Sequence, residues 1–208
     1  MLTVVVISSD EMYGGALAAA LSGAPDVGDC RVEATGSAPG PADVLVVHGG
    51  SAEAGEIGRL ASLAPVLVLG QGGAGEMIEA VEAGAMGYLD ANASFDSVAD
   101  TVRSLAKGVA TVEPALLGAL LRHVVDRQRV EREARQELEV LTPRENEVFA
   151  LLARGLDSAQ IADRLFISVQ TVRTHTRRLM GKLDLHSRSE LVALAARCGL
   201  TLESENEG

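Results

Sequence analysis

Hydrophobic and polar positions divide the chain into stretches of different period. Through the first half, short runs of consecutive apolar, β-branched residues alternate with alanine-rich segments. Residues 3–7 (TVVVI), 31–34, 44–47 (VLVV), 66–69 (VLVL) and 87–89 read as five strands, and 12–22, 53–62, 75–84 and 95–107 as helices. Apolar runs without alternation suit strands buried on both faces, as in a parallel sheet between helices. Residues 1–110 are therefore expected to form a doubly wound α/β domain with a five-stranded parallel sheet.

Over residues 111–137 the period lengthens. Leu116, Leu117, Leu120, Leu121, Val124 and Val125 make an apolar helical stripe, which gives way to the charged run DRQRVEREARQELE. A long, partly exposed linker helix fits this pattern. The apolar seam fades after Val130, which argues against a stable coiled coil. Residues 203–208 (ESENEG) read as a disordered acidic tail.

Residues 138–202 are expected to be all-α, because helix starts recur there. Thr142-Pro-Arg-Glu145 is a capping box with proline at the first helical position. Asp157, Ser168 and Ser187 each place a side-chain oxygen ahead of a further helix, with Gln160 and Glu190 as reciprocal partners of two of them. Only Phe166, Ile167 and the Ser168 cap separate the second of these helices from the third, a joint as short as a helix-turn-helix requires. In the third helix Val172, Leu179 and Leu183, with Thr176 between them, define a buried face. Gln170, Arg173, Thr174, Arg177, Arg178 and Gly181 fall on the opposite side. Such a face suits a major groove about 12 Å wide. By pattern alone, a solvated basic surface is the competing reading.

Charge changes the picture only when it is located. The net charge is −11, which speaks against nucleic acid, but residues 1–110 have only Arg31, Arg59, Arg103 and Lys107 as bases. Between Ser168 and Leu183 there is no acid, against Arg173, Arg177, Arg178 and Lys182. Aromatic residues make up 2% of the chain, too few for a stacking platform for single strands. No apolar run reaches the roughly 18 residues of a membrane helix. MLTVVVISSD reads as a first strand, not a signal peptide. Cys30 and Cys198 lack metal-ligand spacing and fit reduced thiols of a cytoplasmic protein. No metal and no cofactor is expected.

The segment LTPRENEVFALLARGLDSAQIADRLFISVQTVRTHTRRLMGKLDLHSRSELVALAARCGL resembles the LuxR-type helix-turn-helix domain of NarL/FixJ response regulators. The resemblance covers about sixty residues and rests on LTPRE, Ile161-Ala162, the IS-x-x-TV-x-x-H run and KL-x-L-x-SR-x-EL. It implies a four-helix domain whose third helix reads the major groove of double-stranded DNA, with Arg173, Thr174 and Arg177 at the contacting positions. Gln170, Arg178 and Lys182 complete the candidate DNA-binding set. Thr176 stands where the family has an aliphatic residue, and His175 matches the family's histidine. Residues 188–198 resemble the family's dimerisation helix, which implies a homodimer on a two-fold DNA site.

The same resemblance implies a phosphorylatable receiver domain first, and Gly84-Ala-Met-Gly-Tyr-Leu89 is similar to a receiver's fifth strand. The receiver's chemistry is missing. Ser8 and Ser9 stand at the positions of the acids that would hold Mg²⁺, and Asp10 lies one place beyond. His48 replaces the phosphoacceptor aspartate, Gly70 the Thr or Ser after strand four, and Ala91 the lysine after strand five. Asp43 lies too early in strand three to substitute. TGSAPGPAD, between strands two and three, is too short and too rich in Gly and Pro for a helix. A degenerate receiver, not phosphorylated by the receiver mechanism, is expected.

Gly70-Gln-Gly-Gly-Ala-Gly75 follows a strand, precedes a helix and reads as GxGxxG, with Asp90 fifteen residues on. A nucleotide loop would look so, yet the motif sits in the fourth strand, where a dinucleotide fold carries it in the first. Three functions are weighed: a DNA-binding regulator that is not an enzyme, an interaction protein whose receiver-like domain captures a protein or small-molecule regulator, and a nucleotide-dependent enzyme. No convincing acid–base or nucleophilic set accompanies the glycines, and the first reading is preferred.

Overall fold

A computed structural model describes residues 1–48 and 53–200. The expected acidic tail, 203–208, lies outside the described residues, as do residues 49–52, directly after His48. The chain divides into two compact units, Met1–His123 and Val124–Gly208.

The first unit runs β1 (Leu2–Ile7), α1 (Glu11–Ser22), β2 (Val27–Glu33), β3 (Val44–His48), α2 (Ala54–Ala61), β4 (Val66–Gly70), α3 (Gly73–Glu82), β5 (Gly87–Asp90), α4 (Phe95–Ala106) and β6 (Thr111–Val112). The strands form one parallel sheet in the order β2-β1-β3-β4-β5-β6. The expected doubly wound domain is present, with six strands instead of five. The extra strand has only two residues and pairs Gly87↔Thr111 and Tyr88↔Val112. Two residues show no period of their own, so sequence patterning assigned them to the linker.

Side chains of a strand alternate between its faces, and both faces here are covered. Val4, Val6, Val44, Val46, Leu67 and Leu69 pack against Leu17 and Leu21 of α1 and Val98, Val102 and Leu105 of α4. Val5, Ile7, Leu45, Val47, Val66 and Val68 pack against Ile57 and Leu60 of α2 and Met77 and Ala80 of α3. This is why the strands read as unbroken apolar runs. Residues 34–43 between β2 and β3 contain no helix, as their composition implied. Cys30, on the edge strand β2, is half-buried, and burial together with the Asp29 carboxylate pushes its thiol up to about 11. It is therefore held as a thiol, not a reactive thiolate.

Helix α5 (Pro114–Glu137) contributes to both units, and the division falls inside it. Its apolar stripe splits. Leu116 and Leu120 pack against the first unit's core, whereas Leu117, Leu121, Val124 and Val125 are exposed. Ala134, near its other end, is buried in the core of the second unit.

That second unit continues through a 3-10 turn (Leu138–Val140) into α6 (Pro143–Ala153), α7 (Ser158–Leu165), α8 (Val169–Lys182) and α9 (Arg188–Arg197). Each helix starts at an expected cap. Thr142 Oγ1 accepts the Glu145 N–H at 3.3 Å while Glu145 accepts the Thr142 N–H at 2.9 Å. Asp157 and Gln160 make the same reciprocal pair. Ser168 accepts from the Thr171 N–H and Ser187 from the Glu190 N–H. Glu190 departs slightly from a box: its carboxylate takes the His186 N–H at 2.8 Å and the Ser187 hydroxyl at 3.0 Å. Substituting such a cap by alanine costs about 1 kcal/mol.

Candidate nucleic-acid interface and the strand-end cluster

The position of α8 follows from the joint before it. Phe166 ends α7 in the left-handed region (φ 53°, ψ 46°), and the Ile167 N–H donates to Ala162 O at 3.0 Å. The Arg144 guanidinium of α6 donates to Leu165 O at 2.9 Å, which ties the last turn of α7 to the neighbouring helix. Val172 and Leu179 are fully buried beneath α8, and Leu183 is half-buried, so the face inferred from spacing is the one that packs. Thr176, half-buried between them, returns its hydroxyl proton to Val172 O at 2.9 Å. A hydroxyl satisfied within its own helix replaces the family's aliphatic side chain without an orphaned donor. His175 is half-buried, and its Nδ1 has no hydrogen-bond partner.

On the opposite side Gln170, Arg173, Thr174, Arg177 and Arg178 are all exposed. Thr174 donates its hydroxyl to Gln170 O at 2.9 Å, which commits its proton but leaves the oxygen able to accept. Among the described residues, Arg173, Arg177 and Arg178 make no hydrogen bond or ion pair. Three guanidinium groups within two turns, none spent inside the fold, make a surface suited to phosphates and guanine edges.

Lys182 is placed differently from the other five candidates. Its ammonium lies 2.7 Å from Glu145 Oε2 and 3.2 Å from Val140 O. Glu145 is 3% exposed and also accepts the Thr142 N–H and hydroxyl. Lys182 first, then the Thr142 N–H, holds its carboxyl down at about 2, against the opposing effect of burial. The end of α8 is thus fastened to the start of α6. Nothing in the local pattern signalled this pair, because its members are 37 residues apart.

In the first unit, the residues at the receiver's reactive positions form a different kind of cluster. Ser8 is buried; its hydroxyl donates to Asp10 O at 3.0 Å and lies 3.4 Å from His48 Nδ1. Asp10 caps α1, accepting the Met12 and Tyr13 N–H groups at 3.0 Å each, so its carboxylate is committed there. Ser9 is exposed. The Tyr13 ring stacks on His48 with centroids 4.0 Å apart, and its hydroxyl donates to Ala91 O at 3.0 Å. Asp43 accepts the Thr3 N–H at 2.7 Å, at the far end of β3 from His48. The structure thus gathers Ser8, His48 and Ala91 around Tyr13, a residue that sequence patterning had not singled out. No metal-holding group of His, Cys, Asp or Glu occurs among the described residues.

Gly70, at the end of β4, accepts the Ala91 N–H at 2.8 Å and begins a turn closed on itself. Glu76 Oε2 accepts the Gln71 N–H at 2.9 Å, the Gly72 N–H, and the Tyr88 hydroxyl at 3.0 Å. Asp90 accepts both the backbone and side-chain N–H groups of Asn92. The amides that would cradle a pyrophosphate already hold a carboxylate, and the acid that would hold a ribose closes its own turn, so the geometry does not favour a nucleotide loop.

Residues 139–195 match the family described as bacterial regulatory proteins, luxR family. The transcriptional regulatory protein LiaR of Bacillus subtilis (strain 168) is 35% identical over 117 residues, which cover 56% of this chain and 54% of that protein. The oxygen regulatory protein NreC of Staphylococcus carnosus (strain TM300) is 32% identical over 115 residues, 55% of this chain and 53% of that protein. The chain thus spans about half the length of these curated relatives. A crystal structure of a two-component response regulator, LuxR family, from Aurantimonas sp. SI85-9A1 covers 60% of this chain and 99% of its own. Its TM-score is 0.52 at 14% identity, a likeness of fold.

Proposed function

We propose, because residues 139–195 match the luxR family of bacterial regulatory proteins, that the chain is a DNA-binding transcription regulator of the response-regulator type, a cytoplasmic protein and not an enzyme. The observation that carries this reading is the outer face of α8, where Arg173, Arg177 and Arg178 are exposed with no partner among the described residues. Gln170, Arg173, Thr174 and Arg177 read base edges in the major groove, and Arg178 neutralises phosphate.

The regulator acts as a homodimer on a two-fold DNA site. Two observations support a second copy. Ala193 and Ala196 are exposed on α9, small enough for close helix approach, and Leu117, Leu121, Val124 and Val125 form an exposed stripe on α5. Control is independent of aspartyl phosphorylation. That reading is supported by a strand-end cluster of Ser8, His48 and the Tyr13 ring, with Asp10 committed to its helix cap. Aspartyl phosphate requires an aspartate nucleophile and a bound cation, and neither chemistry is provided by these side chains.

The test is selection of bound fragments from sheared genomic DNA by the full chain, repeated with an Arg173→Ala/Arg177→Ala variant. Enrichment of a two-fold-symmetric site, lost in the variant, is the expected result. Incubation with acetyl phosphate and Mg²⁺ should leave the mass unchanged; an acid-labile gain of one phosphate would overturn the phosphorylation-independent part.

A further inference from the structure

Glu76 makes more contacts than the start of one helix requires. Its Oε2 gathers the Gln71 N–H, the Gly72 N–H and the hydroxyl of Tyr88, a residue of another strand. Tyr88 is 1% exposed and belongs to the core beneath α2 and α3. The glycines of the turn leave room for this arrangement. A Cβ on Gly70 would overlap the Tyr88 hydroxyl and lie 2.6 Å from the Glu76 carboxyl carbon, and one on Gly72 would lie 2.8 Å from Glu76 Oε2. Gly73, at φ +64°, takes the chain through a conformation that other residues rarely adopt. The first two glycines of GxGxxG, Gly70 and Gly72, are thus accounted for by a carboxylate that the chain supplies itself.

We infer that Glu76 is a built-in strap that fastens the β4–α3 turn to Tyr88 of β5 and so holds the C-terminal edge of the sheet in one state. Burial first, and then the Glu76 hydrogen bond, pushes the Tyr88 phenol up, as expected for a hydroxyl that keeps its proton in this contact. A carboxylate attached to the chain is always present at high effective concentration, so a diffusing anion does not compete with it for these donors. The strap rests on the reading that DNA binding is the output and aspartyl phosphorylation is not the input. It adds what replaces that input: a permanent internal anion that sets the state of the first unit.

The full chain is compared with Glu76→Ala, Glu76→Gln, Tyr88→Phe and the Glu76→Ala/Tyr88→Phe double variant. Glu79→Ala, an exposed acid on the same helix, is the control. Amide exchange at residues 71 and 72 is followed by NMR, and affinity for the selected DNA fragment by anisotropy. In Glu76→Ala both amides should exchange at least tenfold faster and the DNA affinity should shift at least threefold. Tyr88→Phe should shift the affinity in the same direction, and the double variant no further, because the two residues act as one unit. Glu76→Gln, which keeps an acceptor oxygen and the side chain's shape, should fall between wild type and Glu76→Ala. Unchanged exchange in Glu76→Ala overturns the strap; faster exchange with unchanged affinity overturns its regulatory role. If the unaltered chain binds no DNA, the functional reading has failed, and the exchange arm alone decides the strap.

Discussion

Lys182 and Arg178 both project from α8, four residues apart, and both look from sequence like phosphate contacts. The structure separates them. Arg178 is exposed and has no partner among the described residues, whereas Lys182 is held against the nearly buried carboxylate of Glu145 at 2.7 Å. Neutralising one phosphate contributes about 0.9 to the slope of log K against log salt concentration. Arg178→Ala should therefore lower that slope by about 0.9 for each copy bound, equally on selected and random DNA. Lys182→Ala removes a charge already neutralised inside the fold, and its slope should change by less than about half as much. Arg177→Ala should differ from both. If it reads a base it costs about 1–3 kcal/mol per copy, roughly 5- to 150-fold, on the selected site and far less on random DNA. Fluorescence anisotropy titrations between about 50 and 200 mM salt, on both DNAs, measure all three variants. A slope change for Lys182→Ala as large as that for Arg178→Ala would refute the assignment of Lys182 to the fold. An equal loss for Arg177→Ala on both DNAs would demote that residue to a phosphate contact.

Three further outcomes are expected. Glu145 has its carboxyl lowered from 4.5 to about 2, so its contribution to stability is complete above pH 4.5 and is lost as pH falls toward 2. Denaturant titrations across that window should show the loss in wild type and its absence in Glu145→Gln; the same pH dependence in the variant would exclude Glu145 as its source. Leu179→Ala empties a fully buried site under α8 and should cost about 2–5 kcal/mol. Calorimetry should show the helical unit melting earlier while the transition of the sheet unit stays in place, and a single shifted transition would contradict that independence. Phe166 is 95% exposed in a left-handed conformation, so Phe166→Gly relieves strain without losing burial. A gain of about 0.5–1 kcal/mol should appear in denaturant melts, and a loss would mean that the ring has a packing role.

What the sequence carried and what it concealed follow from the range of the interactions. Caps are local: Thr142, Asp157, Ser168 and Ser187 each act within three residues, so their side-chain chemistry announced four helix starts that the structure contains. The buried and outward faces of α8 were equally legible, since a helical period assigns Val172 and Leu179 inward and Arg173 and Arg177 outward whatever they meet. Lys182 was misleading because its partner is 37 residues away. The strand β6 went unseen because two residues have no period. In α5 the stripe was visible, but which half of it packs depends on where the sheet ends, and only Leu116 and Leu120 meet the core. The glycine motif was visible too, yet its meaning depends on Glu76 turning back onto residues 71 and 72 and on Tyr88 arriving from another strand.

The self-contained caps have a consequence for how the protein is made. Helices α6 to α9 find their core neighbours within residues 134–198, whereas β1 takes its inner neighbour from β3, pairing Val4 with Val44. Local topologies fold in microseconds to milliseconds, and parallel sheets are slower. Synthesis at 5–20 residues per second takes roughly 3–11 s to deliver residues 143–197, longer than most such sheets need to close. The slow unit thus emerges first and has a head start, and the fast one follows. By the time the basic face of α8 leaves the ribosome, the acidic first half has already committed its strands. The basic face of α8 and the acids of the first half therefore do not meet as unfolded chain, and the order of the units guards against their mispairing.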